Sequence, residues 1–416
     1  MLLAVAALCL CVQVSSATLQ ERSLETPNAA TWLANSLVSD GQFAFGGLRA
    51  LQLPGESLYL AAGFMTVPEA LWPYLHVPVV VLFVTSIAAI GFAVGGSALA
   101  LAAGALASLD PYIVRHGPVW DDTLMAAALE WCLLAILITL AARPADVGKV
   151  AWGLLPLVAC MAALAALTRS LSQLVLTAVA ILAVSQPRLR RARTTGVAVL
   201  IGVAVALGTW GTRNYVVLGS FHLGSSHDGE VLFKSNCRYT REGIREQGVV
   251  GTFMHDCSAV QAALALTLGE LEYDRQLREY ALAYMASNPV DVAKTAAFKL
   301  GVSLSGFNFA VPALSLRNVV AVTSSLFTFS LGLYGLWLVF RRIPPSPLLS
   351  LLVSVCLIVG GLTVLMLAVG PTGLRYRIGF NGFLYLGVAA VLTERLPLVR
   401  SHPLFFPGRI ISVVRN

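Results

Sequence analysis

Two arginine groups hold most of the chemistry this chain offers. One closes a long apolar stretch, where Trp210 is followed by Gly211-Thr212-Arg213-Asn214-Tyr215; the other, Arg375-Tyr376-Arg377, leads into an apolar stretch near the C-terminus. A guanidinium presents a planar fork of N–H donors that matches phosphate oxygens two at a time. At the mouth of a membrane helix it suits a phosphate carried on a lipid. Lys234 and Lys299, in the polar segment between the two groups, can add charge to such a site. The plainer role for a juxtamembrane arginine is headgroup contact through an extended side chain. Moving a group off a lipid phosphate also needs a carboxylate to take a proton from the acceptor, cations to offset the charge on the departing phosphate, and a groove between helices for the tail. Asp121 and Asp122, just ahead of an apolar stretch, are placed for the first of these, although acids there also cap a helix and favour its dipole.

The elements that must position these residues are membrane helices. The chain has 416 residues, 57% hydrophobic and only 12% charged, against roughly 25% charged in a soluble domain. Apolar segments of about 20 residues are the test for a bilayer crossing. They fall near 1–17, 76–93, 96–113, 122–142, 150–168, 171–186, 195–212, 318–340, 348–369 and 378–393. Residues 76–113 form one apolar run too long for a single pass, and Gly95-Gly96 is the place where it can turn back. Residues 1–17 lack the basic start of a secretory signal, although Val14-Ser15-Ser16-Ala17 resembles a cleavage site; an uncleaved first span is the favoured expectation.

Orientation follows from the basic residues of the short loops. With ten spans, Arg143 and Lys149, the group Arg188, Arg190, Arg191 and Arg193, and the pair Arg341-Arg342 share one side with Arg395, Arg400, Arg409 and Arg415. That side is expected to be cytoplasmic, with both termini on it. All acids except Glu130, Asp146 and Glu394 fall on the other side, in 18–75, 110–122 and 213–317. The chain therefore divides into an N-terminal membrane region, 1–212, with a first outer loop at 18–75; an outer loop domain, 213–317; and C-terminal membrane helices with a tail, 318–416. In the first loop a helix is expected around Ala29–Val38 and a turn at Leu53-Pro54-Gly55-Glu56. In the second, Leu277, Tyr280, Ala281 and Tyr284 recur at helical spacing opposite Glu272, Arg275, Arg278 and Glu279, and Asn288-Pro289 ends that helix. A second helix then carries Lys294 and Lys299; both are expected to lie along the membrane surface.

The remaining features narrow the chemistry. A net charge of +7 comes from basic residues scattered at helix ends with no aromatic platform between them, which argues against nucleic acid. Cys237 and Cys257 stand in the polar segment about twenty residues apart, where a disulfide would contribute about 3 kcal/mol; the other cysteines lie in apolar spans. His222, His227 and His255 with Asp228 and Asp256 have spacings that can bind a metal, but loop histidines ordinarily do not, and no metal is expected. Glu130, two turns into a span, costs about 2.5–3.5 kcal/mol at mid-bilayer. It lies about 80° around the helix from Asp122, and either lines a donor groove or pairs with Arg169. The absence of any Asn-x-Ser/Thr sequon fits a bacterial protein, and the inner membrane is the expected location.

The stretch Trp210-Gly211-Thr212-Arg213-Asn214-Tyr215, with Gly219 and Phe221 beyond it, resembles the "P-W-x-x-R-N-Y-x-x-x-G-x-F" junction of bacterial GT-C glycosyltransferases, in the branch of protein O-mannosyltransferases and lipid A aminoarabinose transferases. Tyr280 to Lys299 resembles that family's outer-loop helix pair. Arg375-Tyr376-Arg377 resembles its approach to a late span, and Asp110-Pro111 with Asp122-Thr123-Leu124 its approach to the fourth. In order, these motifs cover most of 75–393. The resemblance implies an all-α, GT-C-like membrane fold that moves a sugar from a polyprenyl-phosphate donor to a glycan, lipid or protein acceptor on the outer face, with inversion and without nucleotide sugar, metal or other cofactor. It also implies donor-phosphate contacts from Arg213, Arg375, Tyr376 and Arg377. The chain departs from the pattern at Leu207-Gly208-Thr209, which supplies no Pro before Trp210, and at Gly379, where a Pro is common. Family members begin the first outer loop with an Asp ahead of an "A-x-x-L" stretch; Ala34-Asn35-Ser36-Leu37 matches the later part, but the Asp position falls near Thr26. Glu25 is the nearest carboxylate and Asn28 the nearest polar alternative. Either Glu25 substitutes, or the chemistry is altered or lost. A lipid-phosphate transporter and an inactive relative that still binds lipid phosphate are the alternatives.

Overall fold

A computed structural model describes residues 1–19, 29–44, 48–49, 52–116, 122–142, 150–247, 268–307, 313–342, 346–370 and 377–395. Among these the regular elements are helical. In chain order they are α1 (Leu2–Leu19), α2 (Ala29–Asp40), α3 (Gly55–Thr66), a short 3-10 segment (Glu69–Tyr74), α4 (Val77–Ser108), α5 (Pro111–His116), α6 (Asp122–Ala142), α7 (Val150–Ala166), α8 (Ser170–Val184) and α9 (Arg190–Leu218). The outer loop contributes α10 (Asp228–Ser235), α11 (Thr240–Gln247), α12 (Glu270–Ser287) and α13 (Pro289–Ser305), and the chain closes with α14 (Leu316–Arg342), α15 (Pro347–Val369) and α16 (Ile378–Arg395).

Among the described residues, five segments are long and apolar enough to cross a membrane: Glu69–Ser108, Asp122–Ala142, Arg190–Leu218, Asn318–Arg341 and Pro347–Val369. Shorter apolar helices occupy Leu2–Ala17, Gly153–Ala166, Ser170–Val184 and Ile378–Glu394. The molecule is thus an all-α chain of membrane-protein character. Its centre is α6, a run of Ala and Leu free of Gly and Pro, the composition that favours helix most. Its apolar window is 78% buried, against 22% for Asn318–Arg341 and 33% for Pro347–Val369, which places α14 and α15 at the rim. There Phe327, Leu333, Trp337, Leu357 and Leu365 stay exposed, an apolar surface suited to lipid.

Helix α4 is two helices. Gly96 takes φ 78°, open to glycine without strain, and the halves fold back on each other. A Cβ on Gly91 would lie 3.1 Å from the Ala100 Cα, and one on Gly104 would lie 3.3 Å from the Ala88 Cβ. Sequence positions 9 and 16 apart meet only in a hairpin, at the glycine pair where the sequence predicts it. Elsewhere small residues let backbones touch, the usual device where lipid offers no hydrophobic drive to packing. A Cβ on Gly335 of α14 would fall 1.8 Å from the Gly387 carbonyl of α16.

The first outer segment packs α2 on α3 through Ala30, Ala34, Leu60 and Ala61. The expected turn at Leu53-Pro54-Gly55-Glu56 starts α3, with Pro54 as its N-cap. Gly55 then docks on the α7–α8 junction: its N–H donates to the Leu167 carbonyl at 2.7 Å, and a Cβ there would lie 2.4 Å from Thr168 Oγ1. In the outer loop, α12 and α13 meet at Asn288. The buried stripe of α12 differs from the sequence expectation. Leu277 and Ala281 are buried as expected, but Tyr280 is 53% exposed and Asp274 takes its place inside. Asp274 is held there by the Gly229 N–H and the Arg278 guanidinium, partners that a helical wheel does not contain.

Candidate functional site

Helix α9 ends because Gly219 adopts φ 72°, and its N–H returns to the Tyr215 carbonyl at 3.0 Å, a left-handed C-terminal stop. The chain then folds back on the last turns of the helix. Trp210 and Asn214, four residues apart and therefore on one face, grip it: the indole N–H donates to the Gly224 carbonyl at 3.0 Å and the Asn214 amide to the His222 carbonyl at 2.8 Å. Gly211 makes the close approach possible, since a Cβ there would meet the Phe221 ring at 2.5 Å. Three residues of the Trp-Gly-x-Arg-Asn motif thus hold the loop in place.

Arg213 is the member left over. Its guanidinium lies over the Trp210 ring at 4.9 Å and the Phe43 ring at 5.7 Å, donates to Asn214 Oδ1 at 2.9 Å and reaches the Phe43 carbonyl at 3.2 Å. It is half-buried and oriented, with N–H donors still available. The charges acting on it are Glu270 and Arg49. Glu270 in turn accepts from the Arg49 N–H at 2.7 Å and from Ser226 Oγ. Arg49 has no sequence signal beyond being a lone arginine in a loop, and only the folding of the first outer segment onto α9 reveals it.

An open groove runs past Arg213 along the outer face of α9, lined also by Val205, Gly208, Thr209, Thr212, Val216 and Val217. Gly208 forms a notch, with nothing within 4 Å of where a Cβ would stand. The same face continues down the helix through Ile201 and Val197, both exposed. An apolar track therefore runs past a half-open guanidinium.

The other predicted phosphate ligands have different surroundings. Lys234 pairs with Glu230, which also meets His227 at 2.9 Å. Burial disfavours the Glu230 charge, but His227 and Lys234 outweigh it and hold the carboxyl down to about 2. Lys299 is fully buried and donates to two backbone carbonyls, Ser235 at 3.0 Å and Gly370 at 2.9 Å. These carbonyls stand at the C-terminal ends of α10 and α15, where the helix dipole favours a cation. Burial still pushes its ammonium down to about 7. Arg377, 5% exposed, donates to the Ser303 and Leu304 carbonyls at 3.1 and 2.7 Å and to Ser325 Oγ at 2.8 Å, with its guanidinium over the Phe329 ring. It closes the C-terminal end of α13. The two arginine groups are not brought together as one packed pair of helices: α9 packs on α7, α8 and α6, while α16 packs on α14, α4, α6 and α15.

Among the carboxylates, Asp122 opens α6 and pairs with Arg169 at 3.9 Å; Arg169 also donates to Thr123 Oγ1. Glu130 is buried, with Arg169 and Ser172 acting on it. It is not among the residues lining the α9 groove, and Arg169 acts on it electrostatically. Asp110 accepts from the Tyr112 and Ile113 N–H groups at 2.9 and 3.2 Å, capping α5. Asp228, at the start of α10, accepts from Ser225 Oγ at 2.8 Å and Ser170 Oγ at 3.2 Å. Glu25, Asp121, Arg375, Tyr376 and Cys257 lie outside the described residues. Cys237 is disulfide-bonded, while Cys9, Cys11, Cys132, Cys160 and Cys356 are free. Among the described residues, no three His, Cys, Asp or Glu side chains gather closely enough to hold a metal ion.

No family model matches the chain, and no curated protein or solved structure matches it. The likeness to GT-C glycosyltransferases rests on the order of the sequence motifs.

Proposed function

We propose that the chain is an integral membrane glycosyltransferase of GT-C type that moves a sugar from a polyprenyl-phosphate carrier to an acceptor at the face where α9 ends. The observation that carries this is the apolar track along α9 that runs past Arg213. An isoprenoid tail matches the track, and the oriented guanidinium in its lining matches a phosphate. Counting the Gly96 hairpin as two passes and the four shorter apolar helices as crossings accounts for ten spans, with both termini on the side opposite Arg213. The inner membrane of a bacterium is the proposed location.

Arg213→Ala tests this directly. Binding of undecaprenyl phosphate to the purified protein in nanodiscs should weaken about tenfold to a hundredfold, the worth of hydrogen bonds to a charged group. Binding that does not change would remove Arg213 from the phosphate site. A second reading, an inactive relative that binds lipid phosphate, is favoured by the pairing of Asp122 with Arg169 at 3.9 Å, which engages a carboxylate the reaction could otherwise use. Transfer of radiolabelled sugar from undecaprenyl-phosphate donors to membrane acceptors separates the two.

A further inference from the structure

We propose that Asp228 is the general base of the transfer, the carboxylate that takes the acceptor's proton. The role rests on the transferase reading above. A base must be a carboxylate with lone pairs to spare, open to substrate, and not already neutralised by a cation. The described acids around the end of α9 divide clearly on these terms. Asp122 pairs with Arg169, Glu230 with Lys234 and His227, and Asp274 with Arg278. Glu130 is buried within α6. Glu270 acts electrostatically on Arg213, so it belongs to the leaving-phosphate side, where an inverting displacement has no use for a base.

Asp228 is different. It is half-buried and, among the described residues, held by two hydroxyls, Ser225 Oγ on Oδ1 and Ser170 Oγ on Oδ2. An ionised carboxylate has about four lone-pair sites, so roughly two remain for an acceptor. Its surroundings tie it to both halves of the site. Ser170 follows Arg169 at the start of α8, and Oδ2 would lie 2.7 Å from a Cβ on Gly224, whose carbonyl receives the Trp210 indole. That indole carries Arg213 on its ring face. The carboxylate and the guanidinium are thus connected through Gly224 and the Trp210 ring, and among the described residues they form no ion pair with each other.

In the step this assigns, the acceptor oxygen or nitrogen forms a bond to the anomeric carbon while its proton passes to Asp228. The bond from that carbon to the phosphate oxygen breaks, and its electron pair leaves on the polyprenyl phosphate, where Arg213 offsets the added charge. Atoms and charge balance among the donor, the acceptor and Asp228, with no further co-reactant.

The test uses the full-length protein in nanodiscs with a panel of radiolabelled undecaprenyl-phosphate sugars and detergent-extracted membranes as acceptor. Asp228→Asn keeps the shape and one accepted hydroxyl bond, while its amide N–H donates to the other hydroxyl. It should lower turnover about a hundredfold to ten-thousandfold, the usual worth of a general base, with donor affinity unchanged. Gly224→Ala provides a second variant at a neighbouring position: its methyl crowds the carboxylate, and because the Gly224 carbonyl also receives the Trp210 indole, turnover should fall more than donor affinity does. If the parent protein transfers sugar and both variants transfer at its rate, the role of Asp228 is wrong and the transferase reading stands. If the parent binds donors yet transfers from none, both fall. Loss of donor affinity in step with turnover would make Asp228 a binding or structural residue and overturn its role as base.

Discussion

Arg213 and Arg377 look alike along the chain, each an arginine beside an aromatic residue at the edge of an apolar stretch, and the fold uses them in opposite ways. Arg213 lies on the Trp210 and Phe43 rings within the lining of an open groove, with part of its hydrogen-bonding capacity unspent. Arg377 is buried against the end of α13, donating to two backbone carbonyls and a serine hydroxyl. Lys299 repeats the second pattern on the ends of α10 and α15. A cation remains available to a ligand only where no helix C-terminus docks on it. Where one does, the orphan carbonyls of the last turn are the ligand.

The contrast predicts opposite phenotypes. Arg377→Met should have the largest effect, destabilising the protein by about 3 kcal/mol or more, because three oxygens lose their donor. A thermal unfolding scan in detergent should show a large loss of Tm, and an unchanged Tm would erase the distinction. Arg213→Ala should do the reverse. Its Tm should stay within about 2 °C of the parent, since only half-exposed contacts are lost, while undecaprenyl phosphate binding weakens as given above.

Lys299 supplies a pH test of the buried class. Its folded value of about 7 lies below the ordinary lysine value of 10.5. Between these values the unfolded chain binds a proton that the folded chain lacks, so stability rises with pH through this window and is flat below about 7. The Tm of the parent relative to Lys299→Met should therefore increase from pH 7 to pH 9. A difference that is constant or falls would mean the ammonium stays charged on its two carbonyls. Arg213→Lys should have the smallest effect, a loss of a few-fold in phosphate affinity, because a point charge replaces the oriented fork. Affinity equal to the parent would show that charge alone matters at the groove.

Much of the architecture was legible locally. The glycine pair inside an unbroken apolar run located the hairpin of α4, because little else there tolerates a reversal. The helix predicted over Leu271 to Met285 appears as Glu270–Ser287, bounded by Asn288-Pro289 as expected. Its buried face was only half legible, since Asp274 is drawn inside by Gly229 and Arg278. The site was less legible still. The Trp-Gly-x-Arg-Asn motif pointed to Arg213, yet Trp210, Gly211 and Asn214 turned out to hold a loop, and Arg49 and Asp228 entered through contacts with chain segments far away.

Composition and periodicity by themselves determined an all-α chain of membrane character, the turn at Gly96 and the positions of most helices. These depend on residues within a few positions of one another, through backbone freedom, capping and apolar length. Only the tertiary structure decided which cations are free and which are consumed. That choice depends on whether a distant helix brings its unpaired carbonyls to the guanidinium or ammonium, and nothing in the neighbourhood of Arg213, Lys299 or Arg377 along the chain specifies it.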